Sequence, residues 1–197
     1  MTLNDIAELH FITPIKNVPS ILKLGILSYD EARRLNAISV ADALVQQRRE
    51  NKQVPNAGRL HSYANLYFHG RNPMMCRIQA RRAELAVLRV NPTVLSLRAV
   101  IISDGNASSN YTRFYPSPSG LAYLSKELVF ARDWRAPNNQ ILYWHQKRSR
   151  CAEVLVPNFI KPEYIVGACV SSEEARKKLK ELVSNLVSTV EPDLFTI

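Results

Sequence analysis

The chain has 197 residues, 46% hydrophobic and 22% charged, and its 26 Lys and Arg outnumber 17 Asp and Glu to give a net charge of +9. That length suits one domain with a sizeable core, and no apolar run approaches the ~18 residues of a membrane span. The acidic N-terminus lacks the basic stretch that opens a signal peptide.

Cys76, Cys151 and Cys169 are widely spaced and form no CxxC pair. This pattern disfavours a disulfide framework or a zinc site and suits a reducing cytoplasm. The basic residues cluster at Arg48-Arg49, over residues 77–82 and over residues 147–150. So large an excess in clusters favours a polyanionic partner, nucleic acid first. Tyr111, Phe114 and Tyr115 beside Arg113 add stacking surfaces next to a cation, the combination that single strands use.

In chain order, Leu9-His10-Phe11-Ile12-Thr13 reads as a short strand, with His10 and Thr13 on opposite faces. Asn17 then reads as a helix N-cap, with Pro19 in the first turn and Gly25 past the end. The start of such a helix can receive a polar or anionic group. Capping patterns recur at Ser28, with Asp30 and Glu31 behind it, and at Ser39 to Asp42, which opens a basic helix through Arg49.

After the 55–58 turn, residues 63–68 form an aromatic strand followed at once by His69-Gly70-Arg71-Asn72-Pro73. Gly70 allows a sharp reversal and Pro73 starts a helix over residues 74–82. Arg71 lies between strand end and helix start, so its side chain is expected to reach into a cleft.

Residues 85–90 and 99–103 are core strands, with Asp104 and Asn106 as turn formers after them. The region up to Pro118 reads as loop, and Trp134 and Trp144 are expected to pack locally. Glu153 then opens an apolar run, Val154-Leu155-Val156, that reads as a buried strand; alternation places Glu153 and Leu155 on one face. A carboxylate there is either a solvated strand end paired with Arg150 or a charge set in a cleft to meet a developing positive charge. A further buried strand covers residues 164–170. Ser171-Ser172-Glu173-Glu174 caps a final helix whose apolar stripe runs to Val187.

Four of these pieces, in order, resemble the DarT family of toxin-type ADP-ribosyltransferases that modify DNA bases using NAD. They are His10-Phe-Ile-Thr13 with Asn17-Val-Pro-Ser-Ile-Leu22; Tyr63-Ala-Asn-Leu-Tyr-Phe-His-Gly-Arg71-Asn-Pro-Met74; Ile102-Ser-Asp-Gly-Asn-Ala107; and Arg150-Cys-Ala-Glu-Val-Leu-Val-Pro157. Periodicity alone supports only an α+β mixture. The resemblance implies one domain over residues 1–197, an ADP-ribosyltransferase-like split antiparallel sheet flanked by helices.

The resemblance also assigns roles. Glu153 matches the catalytic glutamate, and Arg71 matches an arginine that meets NAD and assists deprotonation of the base. His10, Phe11, Thr13, Asn17, Ser20 and Arg71 are the expected NAD contacts, although the histidine of the common His-x-Thr pattern lies one position earlier here. Tyr111, Arg113, Lys147, Arg148 and Arg150 are the expected nucleic-acid contacts, within a target-recognition region over residues 106–153.

Breaking the ribose–nicotinamide bond builds positive charge on the sugar, which a carboxylate stabilises. A guanidinium stays protonated, so an arginine stabilises the deprotonated base more readily than it accepts the proton. A base inside a duplex is out of reach, so a single strand or an extruded base is required. NAD is then a substrate, no metal is expected, and single-stranded DNA is the partner, with thymine favoured. Guanine, RNA or protein as target, and a non-catalytic nucleic-acid module with a structural Glu153, stay open. By resemblance the chain is a cytoplasmic, monomeric toxin with a cognate antitoxin, either an ADP-ribosyl hydrolase or an inhibitor.

Overall fold

The computed structural model describes residues 1–35, 43–55 and 57–196. The strands are β1 (Leu9–Pro14), β2 (Ile26–Leu27), β3 (Tyr63–Tyr67), β4 (Leu85–Val90), β5 (Ile101–Ser103), β6 (Phe114–Pro116), β7 (Glu153–Pro157), β8 (Phe159–Ile160), β9 (Ile165–Val170) and β10 (Ser188–Val190). The helices are α1 (Val18–Leu24), α2 (Tyr29–Arg34), α3 (Ala43–Glu50), α4 (Pro73–Ile78), α5 (Lys126–Val129), α6 (Gln140–Ser149) and α7 (Glu173–Leu182). Among the described residues no helix is long and apolar enough to cross a membrane.

Eight strands form one sheet in the order β10-β9-β4-β1-β3-β7-β5-β6, and β2 and β8 form a separate pair. The large sheet is antiparallel except at its edge, where β10 runs parallel to β9. Its split lies between β1 and β3, which meet through the pair His10 and Tyr67. On one flank β1 pairs along its whole length with β4, and on the other β3 pairs along its whole length with β7. Two well-zipped half-sheets therefore diverge from one point of contact, and the gap between them becomes a cleft.

Alternation along the strands sorts the core. Ala86 and Leu88 of β4 pack with Ala175 and Leu179 of α7 and Val18 of α1. Leu85 and Val87 point the other way, onto Met75 of α4 and Phe195. The half-sheet around β7 buries Leu66, Ile102, Val154 and Val156 in a third cluster that also takes in Ile26 and Ile160 of the small sheet.

Local signals explain most helix ends. Ser28 accepts from the Glu31 N–H at α2, and Ser172 accepts from the Ala175 N–H at α7. Asn72 accepts from the N–H groups of Met74 and Met75, with Pro73 leading α4. Asn17 sits at the N-cap position of α1 but makes no side-chain cap bond, because a preceding 3-10 turn already gives it helical dihedrals. The expected cap at Ser39 to Asp42 lies outside the described residues.

Three elements depart from the sequence reading. The helix expected over residues 74–82 is α4 followed by a 3-10 segment, Gln79–Glu84. The apolar stripe expected to reach Val187 breaks at the extended Val183, and Ser188–Val190 becomes the edge strand β10. The loop-like region up to Pro118 contains β6, hydrogen-bonded to β5.

Gly25 shapes the corner between α1 and β2. Its φ is +90°, and a Cβ there would sit 2.2 Å from the Ile160 carbonyl oxygen. Gly25→Ala is therefore expected to cost about 2 kcal/mol or more through left-handed backbone strain and overpacking. For a chain of this size the thermal midpoint should fall by roughly 4–8 °C, which a melting experiment checks.

Candidate active site

β7 carries the central group. Glu153 is completely buried and lies in register between Tyr67 on β3 and Ser103 on β5. Its Oε1 accepts the Ala107 N–H at 2.9 Å, and Arg49 Nη1 sits 3.4 Å from Oε1 and 3.1 Å from Oε2. A buried carboxylate survives only with such partners.

The turn after β5 holds the Ala107 amide in place. Ser103 Oγ donates to the Gly105 carbonyl at 2.8 Å and accepts the Glu153 N–H at 3.3 Å. Asn106 Oδ1 accepts from the Ser108 N–H and hydroxyl, while the Asn106 carbonyl accepts from Thr112 Oγ1. Asp104 and Asn106 are thus the turn formers their residue types suggest.

Arg49 arrives on α3. One turn earlier on that helix, Gln46 Oε1 lies 3.0 Å from His61 Nε2, and the His61 ring lies 4.2 Å from the Tyr29 ring, tilted by 32°. Just beyond α3, Lys52 Nζ donates to the Ser109 carbonyl at 3.1 Å. The first contact holds α3 to His61, and the last ties the end of α3 to the segment that follows Ala107. Sequence reasoning placed Arg49 in a polyanion-binding cluster and missed its pairing with Glu153. The available signal was the need of a buried carboxylate for a cation, which names no partner.

Beside this pair opens a cleft of about 1780 Å³, walled by Phe11, Thr13, Asn17 and Ser20 on one side and by Tyr63, Asn65 and Tyr67 on another. Sites for single small ligands span roughly 300–1,000 Å³, so this space exceeds what one small ligand needs. Arg49 forms part of the wall, and its buried partner Glu153 does not. Lys16, Arg48 and Arg77 also line the cleft, which makes it basic. Burial, reinforced by Glu153, pushes the Tyr67 hydroxyl far above its usual range. The same two causes push the Cys151 thiol up to about 12.

The other expected residues divide. Phe11, Thr13, Asn17, Ser20, Tyr111, Lys147 and Arg148 line the cleft. Asn17 Nδ2 donates to Thr13 Oγ1 at 3.4 Å, which joins two of them. Tyr111 is 83% exposed at the mouth. Arg113 is exposed outside the wall, and Arg148 is paired with Asp104.

Three expectations are corrected. His10 is buried away from the cleft wall: Nδ1 accepts the Gly70 N–H at 2.7 Å, and Nε2 meets Glu8 Oε1 at 2.8 Å. Arg71, expected in the cleft, donates instead from Nε to the Thr196 carbonyl and from Nη1 to the Arg132 carbonyl. Arg150, expected to contact nucleic acid, is 3% exposed. It bonds the carbonyls of Val129 and Arg71 and the His69 ring, and packs over Trp134. Burial lowers its pKa to about 10. Burial and the Arg150 charge together depress His69 to about 3, so it is a neutral acceptor.

Sequence reasoning also missed α6, which brings Ile141, Tyr143, Trp144 and Lys147 to the cleft. Trp144 is 60% exposed rather than packed locally, whereas Trp134 is buried as expected.

A split antiparallel sheet with a buried glutamate beside the split, next to a large basic cleft, is the architecture that the resemblance to the DarT family implies. The family model for "ssDNA thymidine ADP-ribosyltransferase, DarT" matches residues 10–195. The chain belongs to the DarT family.

A DNA ADP-ribosyl transferase–DNA ADP-ribosyl glycohydrolase fusion protein of Thermosipho africanus (strain H17ap60334) is 35% identical over 195 residues, which cover 94% of this chain. The matched region spans 48% of that fusion protein's length. The solved structure of Thermosipho africanus DarTG in complex with ADP-ribose aligns at a TM-score of 0.82 and 32% identity, over 95% of this chain and 50% of that one. Thermus sp. 2.9 DarT, in complex with ADP-ribosylated ssDNA, aligns at 0.81 over 99% of both chains and, at 23% identity, supports the fold.

Two tests follow from this geometry. Arg49→Ala leaves a buried carboxylate without its cation and should cost about 3–5 kcal/mol of stability, readable by urea unfolding. The second test uses Glu8, whose carboxyl the His10 contact and the Arg89 guanidinium hold down to about 2 against an ordinary 4.5. Its stabilising contribution is therefore present above pH 4.5 and lost as pH falls toward 2. Glu8→Gln should melt below wild type at neutral pH, and the gap should narrow from pH 5 to pH 3.

Proposed function

We propose that this chain transfers ADP-ribose from NAD to thymine in single-stranded DNA, with Glu153 as the carboxylate of the reaction and Arg49 as its cationic partner. The observation that carries the reading is the ion pair of a completely buried Glu153 with a cleft-lining Arg49, in a chain matched by the DarT family model. NAD supplies the activated sugar when bound.

The residues act as follows. Ionised carboxylate oxygens hold several acceptor sites, so Glu153 Oε2, which takes a bond from Arg49, retains capacity for a sugar hydroxyl. A small shift of the Arg49 head opens that access. The negative charge then faces the positive charge that grows on the sugar as nicotinamide leaves. Arg49, always protonated, stabilises the base as its nitrogen loses a proton, and Glu153 is the neighbouring group able to accept that proton.

Phe11, Thr13, Asn17 and Ser20 are the NAD-side wall, and Lys16, Arg48 and Arg77 are the phosphate-side cations. Tyr111 and Lys147 lie on the DNA side, where stacking and phosphate contact favour a single strand. Arg71 braces the C-terminal segment and does not meet the base.

On the same reading, residues 1–197 act as one DarT-like domain, a monomer working in the cytoplasm where NAD and DNA are available. The product is a damaged template, so the activity is toxic and needs a partner that reverses or blocks it. A glycohydrolase antitoxin is the favoured class, since the Thermosipho africanus relative is named as a fusion with one.

The test is incubation with NAD and matched oligonucleotides with and without thymine, single-stranded and duplex. Thymine-bearing single strands should gain ADP-ribose, and duplexes far less. Glu153→Gln and Arg49→Ala should each lower the transfer rate by ~10²-fold or more at saturating NAD. Equal labelling of thymine-free strands, or full activity of a folded Glu153→Gln protein, would refute the assignment.

A further inference from the structure

We propose that Asp104 and Arg148 form a positioning pair that fixes the Ala107 amide against Glu153 and ties it to α6, the helix on the acceptor side of the cleft. The inference rests on the reading that Glu153 is the carboxylate of the reaction.

Arg148 has the residue type and the place of a phosphate contact, since it lines the cleft beside Lys147. Its guanidinium is already paired with a carboxylate. Nη2 donates to Asp104 Oδ2, and the other oxygen of Asp104 accepts the Arg113 N–H at 2.9 Å. The pair is part-buried, with side chains 32% and 17% exposed, where charge-assisted bonds count for more than at an open surface.

The aliphatic stem of Arg148 also lies on the turn itself. A Cβ added at Gly105 would sit 2.7 Å from Arg148 Cγ, so glycine is what lets the arginine approach. From Asp104 the connection to Glu153 runs by two short routes. One goes through the Gly105 carbonyl to Ser103 Oγ and on to the Glu153 N–H. The other goes through the turn to the Ala107 N–H on Oε1. A displaced turn therefore moves both the backbone and the carboxylate of Glu153.

A positioning role and a phosphate-binding role separate in kinetics. Misplacement of Glu153 lowers kcat, whereas loss of a phosphate contact raises KM for DNA and reduces the salt slope by about one. The experiment compares wild type, Asp104→Asn, Arg148→Gln and the double variant. It measures kcat and KM for a thymine-bearing oligonucleotide across a salt series, and amide exchange at Ala107 by NMR.

The expected result is a kcat about tenfold lower in each single variant and a double variant no worse than the worse single one, as for residues acting as a unit. KM and the salt slope should be unchanged, and the Ala107 amide should exchange faster. Arg148→Lys, which keeps a cation for Asp104, should recover most of kcat and protects the test against a misfolded Arg148→Gln.

A raised KM and shallower salt slope for Arg148→Gln, with Asp104→Asn silent, would overturn the inference and make Arg148 a DNA contact. Unchanged Ala107 exchange in Asp104→Asn would overturn it too. That exchange is read without turnover, so it gives its answer even if wild type modifies no DNA, an outcome that would sink the proposed function instead.

Discussion

A carboxylate with no exposure to solvent is the constraint around which the molecule is arranged. Removing a charge from water costs several kcal/mol even after relaxation, and a partner charge recovers this only with good geometry and extra hydrogen bonds. For Glu153 the cation comes from the end of α3 and the amide from the turn after β5. Each supplier is itself braced: α3 by His61 and Lys52, the turn by Ser103 and Asp104. Much of the polar structure in this half of the fold thus serves one side chain.

The opposite half does a different task. β1 and β4 zip together, α1 and α7 cover one face, and the first wall of the cleft is built on that rigid base. At the mouth the molecule leaves large apolar groups in water, Tyr111, Ile141 and Trp144 among them. Exposed apolar patches of this kind mark binding surfaces, and here they sit beside Lys147, whose ammonium lies 5.1 Å from the centre of the Tyr143 ring. Aromatic faces interleaved with cations accept bases of any identity by stacking, so on the proposed function the choice of thymine is made deeper, near Arg49.

Strands and caps were legible because their causes are local. The runs at β4 and β9 are apolar enough to be strands in any context, and Ser28, Asn72 and Ser172 announce the helices that follow them. α6 was not legible: Ile141, Leu142 and Trp144 form no stripe against a core, and all three are exposed. Arginines were the least readable residues. Arg49, Arg71, Arg148 and Arg150 share a chemistry and were separated only by partners at 104, 125, 44 and 79 positions along the chain. Burial turned one of them into the partner of Glu153 and another into an internal brace, and no spacing rule anticipates that. Glu153 itself stands out in the sequence because a lone carboxylate in an apolar run is unusual wherever it falls.

β7 lies between β3 and β5 in the sheet although it follows both in sequence. Until it inserts, β5 and β6 have no connection to the rest of the sheet, and their hairpin is too small to persist alone. The strand that carries Glu153 therefore also closes the fold, and it does so through contacts of high sequence separation, which form late and slowly. During synthesis the ribosome must release more than three quarters of the chain before a carboxylate, an amide and a guanidinium can meet. A partly made chain therefore has no assembled site, and the chemistry proposed for Glu153 begins only when folding is nearly complete.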